Sequence, residues 1–215
     1  MSLDVKGEPS RPLPRGRHNL PPEVVRASQR ERLLEAMLAL VAEQGYEATT
    51  VPQVVARAKV SRNAFYELFE DKTECFLALC DDFATEVLDD IANPTEDDWL
   101  AALRNGTRRY LRWWQERPAF TRTYFVELPS AGARAVAQRD RQYARFVAMF
   151  DGLAAWAHAQ DPARPPAGPL ASRTIVYAVT ELIAAEVRAG RVGRLTKLED
   201  DLVELMVLLL AGGAA

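Results

Sequence analysis

Polar residues at Ser61, Arg62 and Asn63 carry the clearest chemical signal in this sequence. An arginine can make two hydrogen bonds to guanine and an asparagine two to adenine, while the methyl of Ala64 can contact a thymine methyl. Ser61 and Thr50 each precede an apolar run, where a hydroxyl caps a helix and the helix N-terminus can receive a phosphate. These residue types suit contacts with nucleic-acid bases and phosphates.

Catalysis and metal binding have few residues to draw on. The only histidines are His18 and His158, and the only cysteines are Cys75 and Cys80. The cysteines lie five positions apart on one predicted helix and point to different faces, which excludes a disulfide between them. Acids adjacent on a helix point about 100° apart and do not share a site. We therefore expect no catalytic residue, no metal site and no cofactor.

Two predicted helices precede this polar run. Apolar residues recur at helical spacing from about Val24 and stop at Gly45, which is typical of a left-handed C-terminal cap. Thr50 and Gln53 have the spacing of a capping box, which predicts a second helix over residues 51–58.

A third helix should carry Arg62 and Asn63 themselves. Lys59 gives a tight turn, Ser61 caps the next helix, and the apolar spacing predicts that helix over residues 62–69. Two short helices joined by such a turn describe a helix-turn-helix. Such a motif presents the N-terminal side chains of its second helix to base edges in the major groove of DNA.

The segment resembles the DNA-binding part of the TetR family of bacterial repressors over roughly residues 28–77. The resemblance is carried by Gly45-Tyr46-Glu47-Ala48-Thr49-Thr50-Val51, by Val60-Ser61-Arg62-Asn63-Ala64-Phe65-Tyr66-Glu67-Leu68-Phe69, and by Asp71-Lys72-Thr73-Glu74-Cys75-Phe76. It implies that Tyr66 and Lys72 contact DNA phosphates, beside the base contacts expected of Arg62, Asn63 and Ala64.

Three positions depart from the family pattern. Lys59 stands where a glycine is usual, and a left-handed conformation costs a non-glycine residue about 1–2 kcal/mol, so we expect a distorted turn. Leu68 replaces a polar residue and is expected to pack. Glu67 places an acid where a base is usual, and we expect it to limit affinity for DNA or to pair with Arg62 or Lys72.

The remainder of the chain predicts helices alone, because no apolar alternation of period two is long enough for a strand. Six more helices are indicated, over about 76–91, 99–114, 119–128, 136–157, 175–183 and 198–209. The prediction is an all-α fold with the nine-helix TetR-like architecture. It divides into a disordered arm containing Pro and Arg (1–22), the helix-turn-helix domain (23–72), and a ligand-binding and dimerisation domain (73–215).

The resemblance implies a ligand pocket among the fourth to seventh helices. Its expected wall is formed by Trp99, Leu103, Thr107, Tyr110, Trp114, Phe120, Tyr124, Phe146 and Phe150. Arg104, Arg108 and Arg112 form a stripe that fits either a solvated face or an anion-binding wall.

The last two helices carry more apolar surface than one buried face needs, and the resemblance implies a homodimer through them. The expected interface is formed by Val179, Leu182, Ile183, Leu202, Leu205, Met206 and Leu209.

Composition bounds the function. The 215 residues carry a net charge of −3, and no uncharged apolar run approaches a membrane span. With no signal-peptide pattern at the N-terminus, we expect a cytoplasmic protein. The resemblance implies a repressor released from a palindromic DNA operator by a small, apolar or aromatic effector. The alternatives are a helical scaffold or ligand-binding protein with a non-functional helix-turn-helix, and, less favoured, an enzyme.

Overall fold

The computed structural model describes residues 21–92, 94–163 and 165–211, and within these residues the chain forms nine α-helices and no strand. The helices are α1 (Pro22–Gln44), α2 (Val51–Ala58), α3 (Arg62–Tyr66), α4 (Lys72–Ile91), α5 (Trp99–Gln115), α6 (Pro118–Arg122), α7 (Ala133–Gln160), α8 (Ala171–Arg188) and α9 (Glu199–Leu210). The all-α prediction is confirmed. The predicted arm lies outside the described residues except for Pro21 and Pro22, and Pro22 already begins α1.

The end of α1 sets the path of the chain into α2. Gly45 has φ +83°, which favours glycine, and its N–H donates to the Val41 carbonyl at 2.9 Å. At the start of α2 the Thr50 N–H donates to Oε1 of Gln53 at 2.9 Å, which satisfies a backbone donor ahead of the first turn. The predicted bounds of α2 are confirmed.

The turn between α2 and α3 keeps a left-handed geometry despite its lysine. Lys59 has φ 53° and ψ 42°, and the N–H of Val60 donates to the Val55 carbonyl at 3.1 Å. The expected distortion is therefore not found. The third helix is shorter than predicted and ends at Tyr66, because the N–H groups of Leu68 and Phe69 both turn back to the Phe65 carbonyl.

The predicted sixth helix is divided into three pieces. After α6, residues Thr123–Glu127 form a π-helical turn and Leu128–Ala131 a 3₁₀ turn. The π-helical turn closes where the Leu128 N–H donates to the Thr123 carbonyl. The helical run therefore continues beyond its predicted end at residue 128 and ends at Gly132, where φ is +87°.

An aromatic stack joins α4, α5 and α6. Phe83 and Phe120 lie 3.9 Å apart between ring centroids, and Phe120 also stacks on Trp114 at 5.7 Å. Cys75 and Cys80 are buried beside it on α4, and burial raises the pKa of the Cys75 thiol to about 12. Both cysteines are thus packing residues with the thiol protonated at neutral pH.

Ion pairs bind α5 to the beginning of α9. Arg108 binds Glu199 at 2.8 Å and Arg104 binds Asp200 at 2.7 Å. Two arginines of the predicted stripe are therefore partnered by acids of the α9 N-terminus, where negative charge is favoured. Over the described residues, no helix is long and apolar enough to span a bilayer.

Replacing Lys59 by glycine should raise the free energy of unfolding by about 0.5–1 kcal/mol. Relief of the left-handed strain, about 1–2 kcal/mol, exceeds the extra unfolded-state entropy of glycine, about 0.5–1 kcal/mol. Urea denaturation measures the change. Lys59→Ala is the control, since it keeps the Cβ atom and the strain; equal stability of the two variants would show that Lys59 is unstrained.

Candidate functional site

At the N-terminal end of α3, polar side chains face outward while the opposite side of the helix is buried. Arg62 and Asn63 are exposed, whereas Phe65 is fully buried in the core. Ser61 caps the helix, its Oγ accepting from the Ala64 N–H at 3.1 Å. Burial of one side of α3 therefore fixes which residues face outward.

Ala64 does not belong to the exposed set. Its side chain is only 9% exposed and packs in the hydrophobic core. The predicted contact of its methyl with a thymine is not supported by this placement, because the methyl packs inside the protein and does not face outward. Arg62 and Asn63 remain as the residues able to reach base edges.

Two other predicted contacts lie at the end of α3 and at the start of α4. Tyr66 is 47% exposed and lies under the Arg62 guanidinium, 5.6 Å from its ring centroid. Lys72 is held from below, since its Nζ donates to the Tyr46 carbonyl at 2.9 Å and lies 4.1 Å from the Tyr46 ring centroid. Lys72 is thus a positioned cation at the beginning of α4.

The remaining residues of this surface are mostly engaged in local bonds. The Thr50 hydroxyl donates to Oε1 of Gln53 at 2.8 Å, so Thr50 offers its oxygen lone pairs. Leu68 is half-buried and packs against the core, as predicted. Glu67 is exposed, and among the described residues it forms no ion pair with Arg62 or Lys72; that predicted pairing is not found.

A cavity of 380 Å³ lies inside the second domain. Seven of the nine predicted lining residues form its wall, namely Leu103, Thr107, Tyr110, Trp114, Tyr124, Phe146 and Phe150. The other two, Trp99 and Phe120, are buried in the hydrophobic core and do not line this cavity.

The prediction from sequence did not include the residues that the last two helices contribute to this cavity. Val176, Val179 and Thr180 from α8 and Met206 from α9 complete the wall. Their apolar spacing was the available signal, but it does not distinguish a cavity wall from an interface.

The wall holds few polar groups and, among the described residues, no charged side chain. The Thr107 hydroxyl is turned to its own helix and donates to the Leu103 carbonyl at 2.7 Å. The indole N–H of Trp114 is buried with no hydrogen-bond partner in the described chain. Burial raises the pKa of the Tyr110 hydroxyl far above its ordinary value, so this group is neutral. The site therefore suits an uncharged molecule.

Four residues of the predicted dimer interface are buried within the single chain. Val179, Ile183, Leu202 and Met206 are at most 9% exposed, which corrects their assignment to an interface. Leu205 and Leu209 are half-buried, and Leu182 is 44% exposed. The larger exposed apolar side chains nearby, Tyr177 on α8 and Leu208 on α9, were not predicted.

Other kinds of site are not assembled. Over the described residues, no three His, Cys, Asp or Glu side chains come together in a way that could hold a metal ion. His18 of the predictions lies outside those residues, and the acidic pairs of the sequence are spread over helix surfaces or bound to arginines such as Arg30, which binds Asp82 at 2.6 Å.

The described residues thus combine a helix-turn-helix with a bundle of helices that surrounds a cavity. A model of the family described as bacterial regulatory proteins, tetR family, matches residues 33–79. The HTH-type transcriptional repressor AcnR of Corynebacterium diphtheriae is 35% identical over 34% of this chain and 45% of its own length. The HTH-type transcriptional regulator YerO of Bacillus subtilis is 28% identical over 32% of this chain and 24% of its own length. The chain thus spans less than half the length of these curated relatives.

Solved structures share the whole architecture. The transcriptional regulator FadR from Bacillus subtilis, crystallised with stearoyl-CoA, superposes with a TM-score of 0.70 over 86% of this chain and 98% of its own, at 16% identity. That likeness shows the fold. Over residues 33–79 the chain is similar to the tetR family of bacterial regulatory proteins, and its fold is that of the structural neighbour.

Filling the cavity at Gly106 should block a ligand. Gly106 lines the wall, and a Cβ atom there would meet nothing within 4 Å. In Gly106→Phe the ring occupies this space, and we expect the affinity for the uncharged fluorophore N-phenyl-1-naphthylamine to fall by about tenfold or more. Fluorescence titration measures it.

Gly193→Phe is the matched control, because Gly193 is exposed, lies outside the wall and also has open space at its Cβ position. It should bind the fluorophore as the wild type does. Undiminished binding by Gly106→Phe would place the fluorophore elsewhere.

Proposed function

We propose that this protein is a dimeric DNA-binding transcriptional regulator, and specifically a repressor that a small uncharged effector releases from a palindromic operator. One observation carries the proposal: Arg62 and Asn63 stand exposed at the capped end of a helix whose other side, at Phe65, is fully buried. Major-groove recognition requires a rigidly held helix that carries side chains able to hydrogen-bond to DNA bases.

Phosphate contacts complete the proposed DNA surface. Tyr66 ends α3 and Lys72 begins α4, and Lys72 is held by the Tyr46 carbonyl and ring rather than by an acid. Its charge is therefore not neutralised by a partner and is available to a phosphate. Thr50 and Ser61, each at the start of a helix, are the further proposed phosphate contacts.

A dimer is needed because one α3 helix reads only a half-site. Tyr177, Leu182 and Leu208 expose large apolar side chains on α8 and α9, and we propose that a second copy covers them. Such a two-fold arrangement matches a palindromic operator. Since its proposed partner is the bacterial chromosome, we place the protein in the cytoplasm.

The proposed effector follows from the cavity wall. A volume of 380 Å³ lies within the range of small-molecule sites, and the lining is apolar and aromatic with a few hydroxyls. The structural neighbour FadR carries stearoyl-CoA, whose acyl part is also apolar. Because a charged group would lose its hydration without gaining a partner on this wall, the enclosed part of the effector is uncharged.

Selection of binding sites from a random duplex pool tests the proposal. The wild type should enrich a palindrome, whereas Arg62→Ala should lose preference at one position of each half-site, at a cost of about 1–3 kcal/mol in discrimination. Lys72→Ala is the comparison variant, since it should weaken all sequences alike and lower the salt slope by about one unit.

If Arg62→Ala selects the same preferred sequence as the wild type, Arg62 does not contribute to base recognition. Failure of the wild type to bind any duplex in a salt-dependent way would instead favour a helical scaffold or ligand-binding protein with a non-functional helix-turn-helix.

Charges placed on the exposed apolar face should separate the dimer. The double variant Leu182→Glu, Leu208→Glu puts two carboxylates where we propose that the copies meet, and desolvating them would be costly. We expect a monomer by sedimentation at micromolar concentration. Val136→Glu, which alters an exposed apolar residue of α7, should remain dimeric. A monomeric wild type would contradict the proposed assembly.

A further inference from the structure

The π-helical turn Thr123–Glu127 connects the cavity with the first domain. Tyr124 and Phe125 of this turn line the cavity wall, while Glu127 at its end contacts the loop that follows α1. A π-helical turn carries one residue more than an α-turn and occurs frequently at functional sites. The Thr123 hydroxyl is buried with no partner in the described chain, so the turn begins with one unsatisfied polar group.

Glu127 makes a specific contact across the two domains. Its Oε2 accepts a hydrogen bond from the Tyr46 N–H at 2.9 Å. The same oxygen would lie 3.3 Å from a Cβ atom at position 45, so a glycine there allows the close approach as well as the positive φ. Among the described residues this is the one hydrogen bond between the π-helical turn and the loop 45–50.

Tyr46 in turn positions Lys72. The Tyr46 carbonyl accepts from Nζ of Lys72, and the Tyr46 ring lies beneath it. The Tyr46 hydroxyl is 2.9 Å from the Thr73 hydroxyl, and its ring centroid is 4.7 Å from that of Phe76. Any shift of the Tyr46 backbone therefore moves the surroundings of the proposed phosphate-binding cation.

We propose that Glu127 is the positioning residue that couples occupancy of the cavity to DNA binding, by holding the Tyr46 backbone only while the cavity is empty. This inference rests on the proposed function. A molecule in the cavity presses on Tyr124 and Phe125, the π-helical turn rearranges, and Glu127 withdraws from the Tyr46 N–H.

The direction of the coupling follows from linkage. In this proposal the hydrogen bond is made in the DNA-competent state and lost in the occupied state, so it favours the first over the second. Removing it should lower DNA affinity in the absence of any effector and should also raise affinity for the cavity ligand. A hydrogen bond to a carboxylate of this kind corresponds to a change of about tenfold.

The test is a double-mutant cycle of Glu127→Ala and Gly106→Phe, in which the phenylalanine serves as a built-in occupant of the cavity. The DNA probe is a duplex selected on the wild type from a random pool. Each single variant should bind it about tenfold more weakly. The DNA affinity of the double variant should be within about twofold of that of either single variant, because both changes break the same contact between Glu127 and Tyr46.

Additive losses in the double variant would overturn the inference. Glu127→Gln keeps an oxygen that can accept from the Tyr46 N–H and should retain DNA affinity. Glu116→Ala, which removes an exposed acid at the end of α5, is the matched control and should bind as the wild type does. If Gly106→Phe does not fold, saturating N-phenyl-1-naphthylamine takes its place as the occupant.

A second measurement separates this inference from the proposed function. Hydrogen exchange of the Tyr46 amide, followed by mass spectrometry on a peptide spanning 44–50, needs no DNA. Occupancy of the cavity should accelerate it about tenfold in the wild type, as Glu127→Ala should without occupancy. Faster exchange in a protein that binds no duplex would sustain the coupling and reject the DNA function, whereas unchanged exchange would reject the coupling itself.

Discussion

Burial of α1 on two sides is the constraint on which the rest of this structure depends. Leu33, Leu34 and Met37 are at most 1% exposed, and they belong to one hydrophobic core that runs from α2 and α3 to the helices of the second domain. Because α1 packs against both the helix-turn-helix and the later helices, these two parts of the chain share one core. The orientation of α3 is therefore fixed by the same packing that closes the second domain.

Local rules predicted the first domain well because its elements are determined by neighbouring residues. The capping residues Thr50 and Gln53 and the turn at Lys59 fix α2 from within a few positions, and the predicted bounds were met. The third helix was predicted too long because the apolar residue Phe69 continued its spacing, while the N–H of Leu68 already bonds to the Phe65 carbonyl, three residues back, in a tighter turn. The spacing of apolar residues predicts which side chains are buried, but it does not predict which backbone hydrogen bonds end a helix.

The second domain was predicted less fully because its long-range partners are not encoded in spacing. The apolar stripes of α8 and α9 indicated burial correctly, but Val179 and Met206 face the cavity and Leu202 the core, rather than another chain. The π-helical turn could not be predicted either, since its Tyr124 and Phe125 pack on Trp114 of α5, a partner that the spacing of the turn does not indicate. The contact of Glu127 with Tyr46 spans 81 positions and follows from that turn.

Two glycines on the cavity wall have a consequence for how this protein can change over evolutionary time. Gly106 and Gly152 lie within helices and have open space at their Cβ positions, so each helix gives up about 1 kcal/mol of propensity relative to alanine to keep that space. Single substitutions at either position would reshape the cavity while making the helix more stable. The shape of the cavity can therefore diverge among descendants of this sequence without loss of folding.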